Sequence, residues 1–358
     1  MGDRPGTSRG RGSNRGVGRS RRRCWLVRAI ALCLLMVAAD YLAYPRLAQI
    51  GGRSLNTGDN GLWLRYTWYF GKWQETDLHR LAGRLQSGQI RYGYFHVREV
   101  APDGHLRYHY LTSARRLTAA LHREAPGTKA IAWVYAGNER TYSSDRVDLS
   151  NAAIRETMVK EAAWLVNDCG FDGVQWDYEV CGDGDQRLLA LLDETRAILP
   201  KGKTISVCTP MWYPWPWPRG YRWTEKYFAA VAARCDQLTV MCYDSMMYLP
   251  RAYVWLVRQQ APHVTRAIAG RNPECRVLLG VPSYGRGGPF HNPRAENLRL
   301  ALKGVREGLS DRRTLSSSFA GVSIFADWTT TPEEWQEWSQ LWPKCGAEPR
   351  RGQLSAPR

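Results

Sequence analysis

The stretch Phe171–Glu179, FDGVQWDYE, decides the fold. Side chains on a β-strand point alternately to its two faces, so Gln175, Asp177 and Glu179 share one face. At a rise of about 3.3 Å per residue, the two carboxylates lie roughly 6–7 Å apart. Two acids this close do not both ionise readily, so one keeps its proton near neutral pH and can act as a general acid. The opposite face is apolar and suits packing under helices: Val174, Trp176, Tyr178.

A polar edge strand with solvated acids is the alternative interpretation of this stretch, because acids are common on solvated strands. That interpretation does not explain why the other face is apolar. We therefore favour a buried strand with a reactive tip.

Short apolar stretches and amphipathic stretches alternate along the chain from about residue 60. Helices are expected between the strands, for example at Asn151–Asn167 and Asp185–Leu199. Alternating strands and helices predict parallel βαβ units, and eight units close into a (β/α)8 TIM barrel of about 250 residues. Residues 60–343 fit that size. The eight predicted strands are Leu62–Tyr69, Ile90–Val97, Lys129–Tyr135, Gly173–Glu179, Thr204–Thr209, Gln237–Tyr243, Val277–Pro282 and Val322–Ala326.

An open doubly wound sheet would show a similar alternation. No G-x-G-x-x-G follows the first predicted strand, which weighs against a dinucleotide-binding version of that fold.

The two ends of the chain differ from the barrel in composition. Residues 1–23 are rich in Gly, Arg and Ser and predict a disordered tail, and residues 344–358 predict another. A basic segment precedes the apolar run Ala29–Ala39, so residues 24–44 are predicted to be a signal peptide or a signal anchor. The run is shorter than the about 20 apolar residues of a membrane span, and a buried helix is the alternative.

The formal charge of +17 is unevenly distributed, since residues 1–28 hold nine Arg and one Asp. The moderately basic remainder favours an anionic surface such as a cell envelope. Nucleic acid is a rival partner, but no helix-turn-helix, zinc or RNA-binding pattern supports it. The 16 Trp and 18 Tyr offer flat faces that stack on sugar rings or fill the core.

The nine cysteines include no C-x-x-C and no Cys/His cluster, so no metal site is expected. Cys235 and Cys275 precede two late strands and could meet at the bottom of the barrel. Buried free thiols are the favoured interpretation, because free Cys packs as a small apolar residue.

Functional side chains of such a barrel lie at the carboxyl ends of its strands. Acids and aromatic rings converge there without a His or Cys/His ligand set, which favours sugar chemistry over metal-assisted hydrolysis or acyl transfer. The candidates are Asp177 and Glu179 on the fourth strand, Met241, Tyr243 and Asp244 on the sixth, Tyr284 and Arg286 after the seventh, Tyr69 on the first, and Trp133, Tyr135 and Asn138 on the third.

Three motifs resemble those of the family-18 glycoside hydrolases, the chitinase-like enzymes. FDGVQWDYE resembles D-G-x-D-x-D-x-E, with Gln175 where the family usually has Asp. VMCYD at Val240–Asp244 resembles M-x-Y-D, and PSYGR at Pro282–Arg286 resembles P-x-Y-G-R. The three motifs fall on the fourth, sixth and seventh strands in the order of the family.

The resemblance implies substrate-assisted, retaining hydrolysis of β-1,4-linked N-acetylglucosamine polymers, with no cofactor. Glu179 would protonate the glycosidic oxygen, Asp177 would orient the substrate's acetamido group, and Tyr243 would hydrogen-bond it. Gln175 is expected to hydrogen-bond Asp177 without taking its proton. The residues expected to bind substrate are Gln175, Met241, Asp244, Tyr284, Arg286, Trp328 and Tyr69.

The eighth strand departs from the family pattern. GVSIFADW places Phe325 where the family has a Trp that forms the floor under the sugar, and Trp328 follows three residues later. We expect Trp328 to take the floor position. Met211–Trp223 interleaves Pro and Trp, which predicts either a stacking wall for a polysaccharide or a self-packed loop. Some 35 residues separate the last two strands, too few for a sizeable α+β insertion, so the cleft should be shallow and open.

The sequence therefore predicts a monomeric glycosidase, secreted or anchored by its N-terminal segment, that acts on chitin or peptidoglycan. A non-catalytic chitinase-like carbohydrate-binding protein is the alternative, but such relatives usually lose the acid that Glu179 provides here. A structural envelope protein would leave the polar strand tips unexplained.

Overall fold

Eight parallel strands form a closed barrel in which neighbours in sequence are neighbours in space. The first strand also pairs with the last, matching Gly61 with Ser323. This arrangement confirms the predicted (β/α)8 barrel. The strands are β1 (Asn60–Leu64), β2 (Ile90–Glu99), β3 (Lys129–Gly137), β4 (Gly173–Glu179), β5 (Thr204–Thr209), β6 (Gln237–Met241), β7 (Arg276–Pro282) and β8 (Phe319–Phe325).

The computed structural model describes residues 2, 15–141, 146–214 and 222–343, with side chains from residue 25 onward. Predictions for residues 3–14, for Trp215–Tyr221 of the Pro/Trp loop and for the tail 344–358 lie outside the described residues. The helices are α1 (Arg15–Leu47), α2 (Glu75–Ser87), α3 (Leu111–Glu124), α4 (Ala152–Asn167), α5 (Gln186–Ile198), α6 (Glu225–Ala232), α7 (Pro250–Ala269), α8 (Leu298–Leu309) and α9 (Pro332–Leu341).

Local signals in the sequence define where the barrel helices begin. Asn151, Asp185 and Asn297 cap α4, α5 and α8, since each side chain accepts a hydrogen bond from a backbone N–H of the first turn. Thr331 and Glu334 form a capping box at the start of α9. The caps end the loops at the carboxyl side of the barrel, so they help to position the site.

The strand β4 extends beyond one of its neighbours. It pairs with β3 as far as Gly137↔Glu179, whereas its pairing with β5 ends at Trp176↔Val207. Gly173 begins the strand, where a Cβ atom would clash with the carbonyl group of Thr204. The close approach of β5 at this end and its early departure at the other leave Asp177 and Glu179 at an open rim.

Several predicted strand boundaries were wrong, although all eight strands exist. The first strand ends at Leu64 instead of Tyr69, because the backbone from Arg65 onward folds into turns, with Phe70 N–H donating to Tyr66 O at 3.0 Å. The sixth ends at Met241, before Tyr243, and the eighth begins at Phe319. Aromatic residues favour strands, so Tyr69 and Tyr243 in the loops after β1 and β6 misplaced the ends of those two strands.

The segment between β7 and β8 contains α8 and a short 3-10 turn at Ser316–Ser318, and all of its residues are described. It holds no strand, which confirms that the barrel lacks a sizeable α+β insertion.

The N-terminal residues through Ala48 form a unit separate from residues 49–358. The helix α1 begins at Arg15, inside the segment 1–23 that was expected to be disordered. Arg is a good helix former, so the helix continues upstream of the apolar run. Trp25–Leu47 is a 23-residue stretch long and apolar enough to cross a membrane, a test that a signal sequence also passes.

The cysteines whose side chains the structure describes are free thiols, and all but the exposed Cys33 are buried. Cys235 and Cys275 are close enough at the bottom of the barrel for Cys275 to add to the effect of burial in raising the pKa of the Cys235 thiol, but they form no disulfide. Both parts of the expectation for these two residues are therefore confirmed.

Candidate active site

Asp177 lies near the tip of β4 and is 4% exposed. Its Oδ2 accepts a hydrogen bond of 2.8 Å from Trp133 Nε1 on β3. Its Oδ1 is buried and has no hydrogen-bond partner among the described residues. Burial raises the pKa of Asp177 to about 6, against the lowering effects of the Trp133 hydrogen bond and of the nearby Cys208 thiol. The carboxyl group therefore has one oxygen held by Trp133 and one buried oxygen without a hydrogen-bond partner among the described residues.

Glu179 is the last residue of β4 and is partly buried. Burial raises its pKa well above the ordinary value, and the charges of Asp177 and Asp244 raise it further. Asn138 fixes the backbone here: its N–H donates to Glu179 O at 2.8 Å, and its side chain bonds both the N–H and the carbonyl of Val180. Two acids with raised pKa values therefore lie close together at this end of β4, an arrangement that favours keeping one of them protonated.

Gln175 is fully buried and does not bond Asp177, contrary to the expectation. Its Oε1 accepts from Trp63 Nε1 at 2.9 Å, and its Nε2 donates to Ser206 and Thr239. Since the amide is satisfied inside the barrel, the role in substrate binding expected for Gln175 was also wrong. Gln175 lies two residues before Asp177 on the same strand, about 6–7 Å away, which is too far for a hydrogen bond. Trp133 reaches Asp177 from the neighbouring strand β3.

The raised pKa of Asp177 follows from burial rather than from the identity of residue 175.

Tyr243 stands next to this pair, just beyond the end of β6. Its ring stacks on Phe325 at a centroid distance of 4.7 Å and meets Trp63 edge-on at 6.1 Å. Burial raises the pKa of Tyr243 well above its usual value, and Cys208 and Asp177 add to the effect. Met241 packs on the same core cluster. Both residues therefore face the barrel interior, as predicted.

Phe325, and not Trp328, occupies the centre of the aromatic cluster. It ends β8, pairs in register with Pro282, and contacts Trp133 as well as Tyr243. Trp328 lies beyond the strand, is 39% exposed and touches Phe325 edge-on at 5.7 Å. The expectation that Trp328 takes the floor position was wrong, because no bulge brings it inward. It lies at the rim.

Asp244 and Tyr284 meet at the mouth of the barrel. Tyr284 Oη donates to Asp244 Oδ1 at 2.6 Å, and the Asp244 side chain is 55% exposed. Asp244, His291 and Glu296 bring possible metal-ligand atoms within 4.8 Å of one another, the single such group among the described residues. Hydrogen bonds within the protein already use the carboxyl oxygens of Glu296.

Tyr69 and Arg286 were also expected to bind substrate. Tyr69 is fully buried, and its hydroxyl donates to Tyr108 O at 2.8 Å and accepts from Tyr110 N–H. Tyr69 therefore ties the loop after β1 to the segment before α3, and its expected contact with substrate was wrong. Arg286 is exposed in the loop after β7. It stays a candidate for binding.

Sequence reasoning missed several residues around the acids. Cys208 follows Ser206 by two residues on β5, so period-two alternation could have placed it on the inward face. His291 and Glu296 follow β7 in a loop without a motif, and no sequence signal marked them.

Comparison with known proteins agrees with the fold. Residues 65–342 match the model described as Glycosyl hydrolases family 18. Three solved structures share the barrel at low identity. The spore cortex-lytic enzyme SleL of Bacillus cereus is 13% identical over 82% of this chain and 75% of that chain, with a TM-score of 0.55.

Two chitinases align over nearly their whole length. The Rhizomucor miehei chitinase is 14% identical over 79% of this chain and 99% of that chain, with a TM-score of 0.53. A class V chitinase mutant from Cycas revoluta in complex with (GlcNAc)3 is 14% identical over 78% and 98%, also with a TM-score of 0.53. No curated protein sequence gives a significant match.

Proposed function

The chain belongs to glycosyl hydrolase family 18, whose model matches well over half of it, and on this premise we propose that it hydrolyses β-1,4-linked N-acetylglucosamine polymers by substrate-assisted catalysis. The observation that carries the proposal is the Asp177–Glu179 pair, with one free carboxyl oxygen and one acid of raised pKa. The Cycas structure with (GlcNAc)3 supports a sugar of this type. Peptidoglycan and chitin are both substrates of this class.

Glu179 acts as the general acid. Burial, and after it the charges of Asp177 and Asp244, raise its pKa well above the ordinary value, which favours the protonated form that a general acid needs. The proton passes to the glycosidic oxygen as the bond to the anomeric carbon breaks. General acid catalysis of this kind contributes about 10²–10⁴-fold to the rate.

The substrate's acetamido oxygen is the nucleophile, as in the substrate-assisted exceptions to the two-carboxylate scheme. The free Oδ1 of Asp177 accepts the acetamido N–H, while Trp133 holds Oδ2. The Tyr243 hydroxyl, kept protonated by burial, donates to the acetamido oxygen. The ionised Asp177 also stabilises the positive charge that develops when the ring closes.

Water then opens the cyclised intermediate, and Glu179 takes the proton that it gave. Two displacements at the anomeric carbon retain its configuration. Phe325 offers the apolar floor next to Tyr243, and Trp328 and Arg286 are available at the rim for neighbouring sugars. The cycle needs no cofactor.

We also infer that the barrel works outside the cytoplasm, exported or anchored by the N-terminal helix. The support is the apolar stretch Trp25–Leu47 following an Arg-rich segment. A polymer of the cell envelope or surroundings is accessible only there.

The test compares the parent protein with Glu179→Gln on chitooligosaccharides and on purified peptidoglycan. Turnover of at least one of them by the parent, reduced by about 10²–10⁴-fold in the variant with binding retained, is expected. Trp133→Phe tests the neighbouring acid. A parent that binds these glycans without cleaving them would contradict the enzymatic assignment and favour the carbohydrate-binding alternative.

A further inference from the structure

A ring of side chains outside the acid pair surrounds the end of β6. Asp244 has a φ of +50°, a left-handed conformation that is uncommon for a residue other than Gly. Tyr284 donates to its carboxylate at 2.6 Å. A strained residue of this kind persists when its surroundings hold it in place.

Glu296 provides that support from the loop before α8. It is fully buried, and its Oε1 accepts from the backbone N–H of Ser245 at 3.1 Å and from the Ser245 hydroxyl. Ser245 is the residue next to Asp244 and is itself fully buried. Glu296 therefore fixes the backbone on which Asp244 is carried.

His291 completes the ring from the opposite side. Its Nδ1 hydrogen-bonds Glu296 Oε2 at 3.1 Å and lies 3.8 Å from Asp244 Oδ1. Its ring stacks on Tyr284 at a centroid distance of 4.2 Å and an interplanar angle of 29°. One buried imidazole thus touches both partners of the Asp244–Tyr284 bond.

We propose that Glu296 and His291 are positioning residues that hold Asp244 and Tyr284 in the geometry required for turnover, without touching substrate themselves. The inference rests on the proposed function, since Asp244 is expected at the substrate. It extends that function to two residues that no sequence motif marks.

The position of Asp244 matters to the acid as well as to the substrate. Its charge is one of the causes of the raised pKa of Glu179. The other titratable groups coupled to Glu179 are Asp177 on β4, Tyr135 on β3, Cys208 on β5 and Tyr243 after β6. If Asp244 were displaced, those groups would stay in place, and only the contribution of Asp244 to the raised pKa of Glu179 would be lost.

A double-mutant cycle tests the proposal, with Glu296→Ala, Asp244→Ala and the combined variant. A misplacement of about 1 Å can cost about 10²-fold, so Glu296→Ala should lower kcat/KM by about 10- to 100-fold. If Glu296 acts through Asp244, this loss should vanish in the Asp244→Ala background, because coupled residues are not additive. The upper pH limb of kcat/KM should also shift to lower pH in Glu296→Ala.

Glu161→Ala is the matched control. Glu161 is also buried and also bonds imidazoles, those of His105 and His109, but on the outer side of the barrel. Its loss should leave the pH limb and the cycle with Asp244→Ala unaffected. If Glu296→Ala does not fold, Ser245→Ala carries the same test with a smaller effect.

Additive losses of Glu296→Ala and Asp244→Ala, or an unshifted pH limb, would overturn the proposal. If the parent protein itself shows no turnover, the proposed function fails, and a crystal structure of Glu296→Ala tests the positioning alone. An unchanged Asp244 φ and an unchanged Tyr284–Asp244 bond in that structure would refute it.

Discussion

Removing the hydrogen bond that Trp133 donates to Asp177 should move the acidic limb of the pH profile of kcat/KM to higher pH. In Trp133→Phe an aromatic ring remains between His96 and Phe325, with which Trp133 packs, but the Nε1–H donor is lost. That donor lies 2.8 Å from Asp177 Oδ2 and stabilises the ionised carboxylate. Without this hydrogen bond, the charged form of Asp177 is less stable relative to the neutral form.

The size of the shift follows from the type of bond. A hydrogen bond to a charged group contributes about 1.5–3 kcal/mol, and one pKa unit corresponds to about 1.4 kcal/mol. The pKa of Asp177, already raised to about 6 by burial, should therefore rise by about 1–2 units. Because the mechanism requires ionised Asp177, the lower limb of kcat/KM should move upward by the same amount.

The assay is the pH dependence of kcat/KM on N-acetylated oligosaccharides for the parent and two variants. Trp63→Phe is the matched control, because Trp63 Nε1 donates at 2.9 Å to the neutral amide of Gln175. Its loss should lower stability without moving the lower limb. The reasoning would be refuted if the acidic limb of the kcat/KM profile lay at the same pH in the parent and Trp133→Phe. An equal shift of that limb in Trp133→Phe and Trp63→Phe would also refute it.

Three further predictions concern stability, mechanism and location. Burial raises the pKa of Asp177 above its value in the unfolded chain, so the ionised carboxylate destabilises the fold fully above about pH 6 and not at all well below pH 4. Asp177→Asn should therefore stabilise the fold by about 1–3 kcal/mol at pH 8 and not at pH 3. Denaturant titrations at both pH values measure the difference. Fully deacetylated oligosaccharides lack the internal nucleophile and should be cleaved far more slowly than N-acetylated ones, with NMR showing a retained anomer of the first product; equal rates or an inverted product would exclude this mechanism. A reporter fused after residue 345 should be active outside the cytoplasm, and activity confined to the cytoplasm would contradict export.

The fold could be predicted from the sequence because the barrel strands are short apolar stretches at regular spacing. The bounds of β4 and β5 agree with the prediction to the residue. Boundaries failed where aromatic residues continue past the end of a strand, as at Trp68 and Tyr69 after β1. Hydrogen bonding along the backbone, which local composition does not reveal, ends the strand there.

The acids could be predicted for a different reason. Period-two alternation places Asp177 and Glu179 on one face whatever the surroundings. Their partners depend on neighbouring strands instead. Trp133 reaches Asp177 because β3 and β4 pair Tyr135 with Asp177, and Phe325 reaches Tyr243 because β8 ends at that level. Such contacts depend on register and barrel closure, so sequence spacing alone could not assign them.

Gln175 shows how the interior separates folding from chemistry. Its amide joins Trp63, Ser206 and Thr239 in a buried hydrogen-bonded layer below the acids. Because the layer is neutral and its donors and acceptors at Gln175 are used, it neither supplies a proton to Asp177 nor adds a charge beside it. The proton affinity of Glu179 therefore depends on burial and on Asp177 and Asp244 above the layer. An amide at position 175 is therefore compatible with an acid pair whose pKa values are raised first by burial and, at Glu179, further by the charges of Asp177 and Asp244.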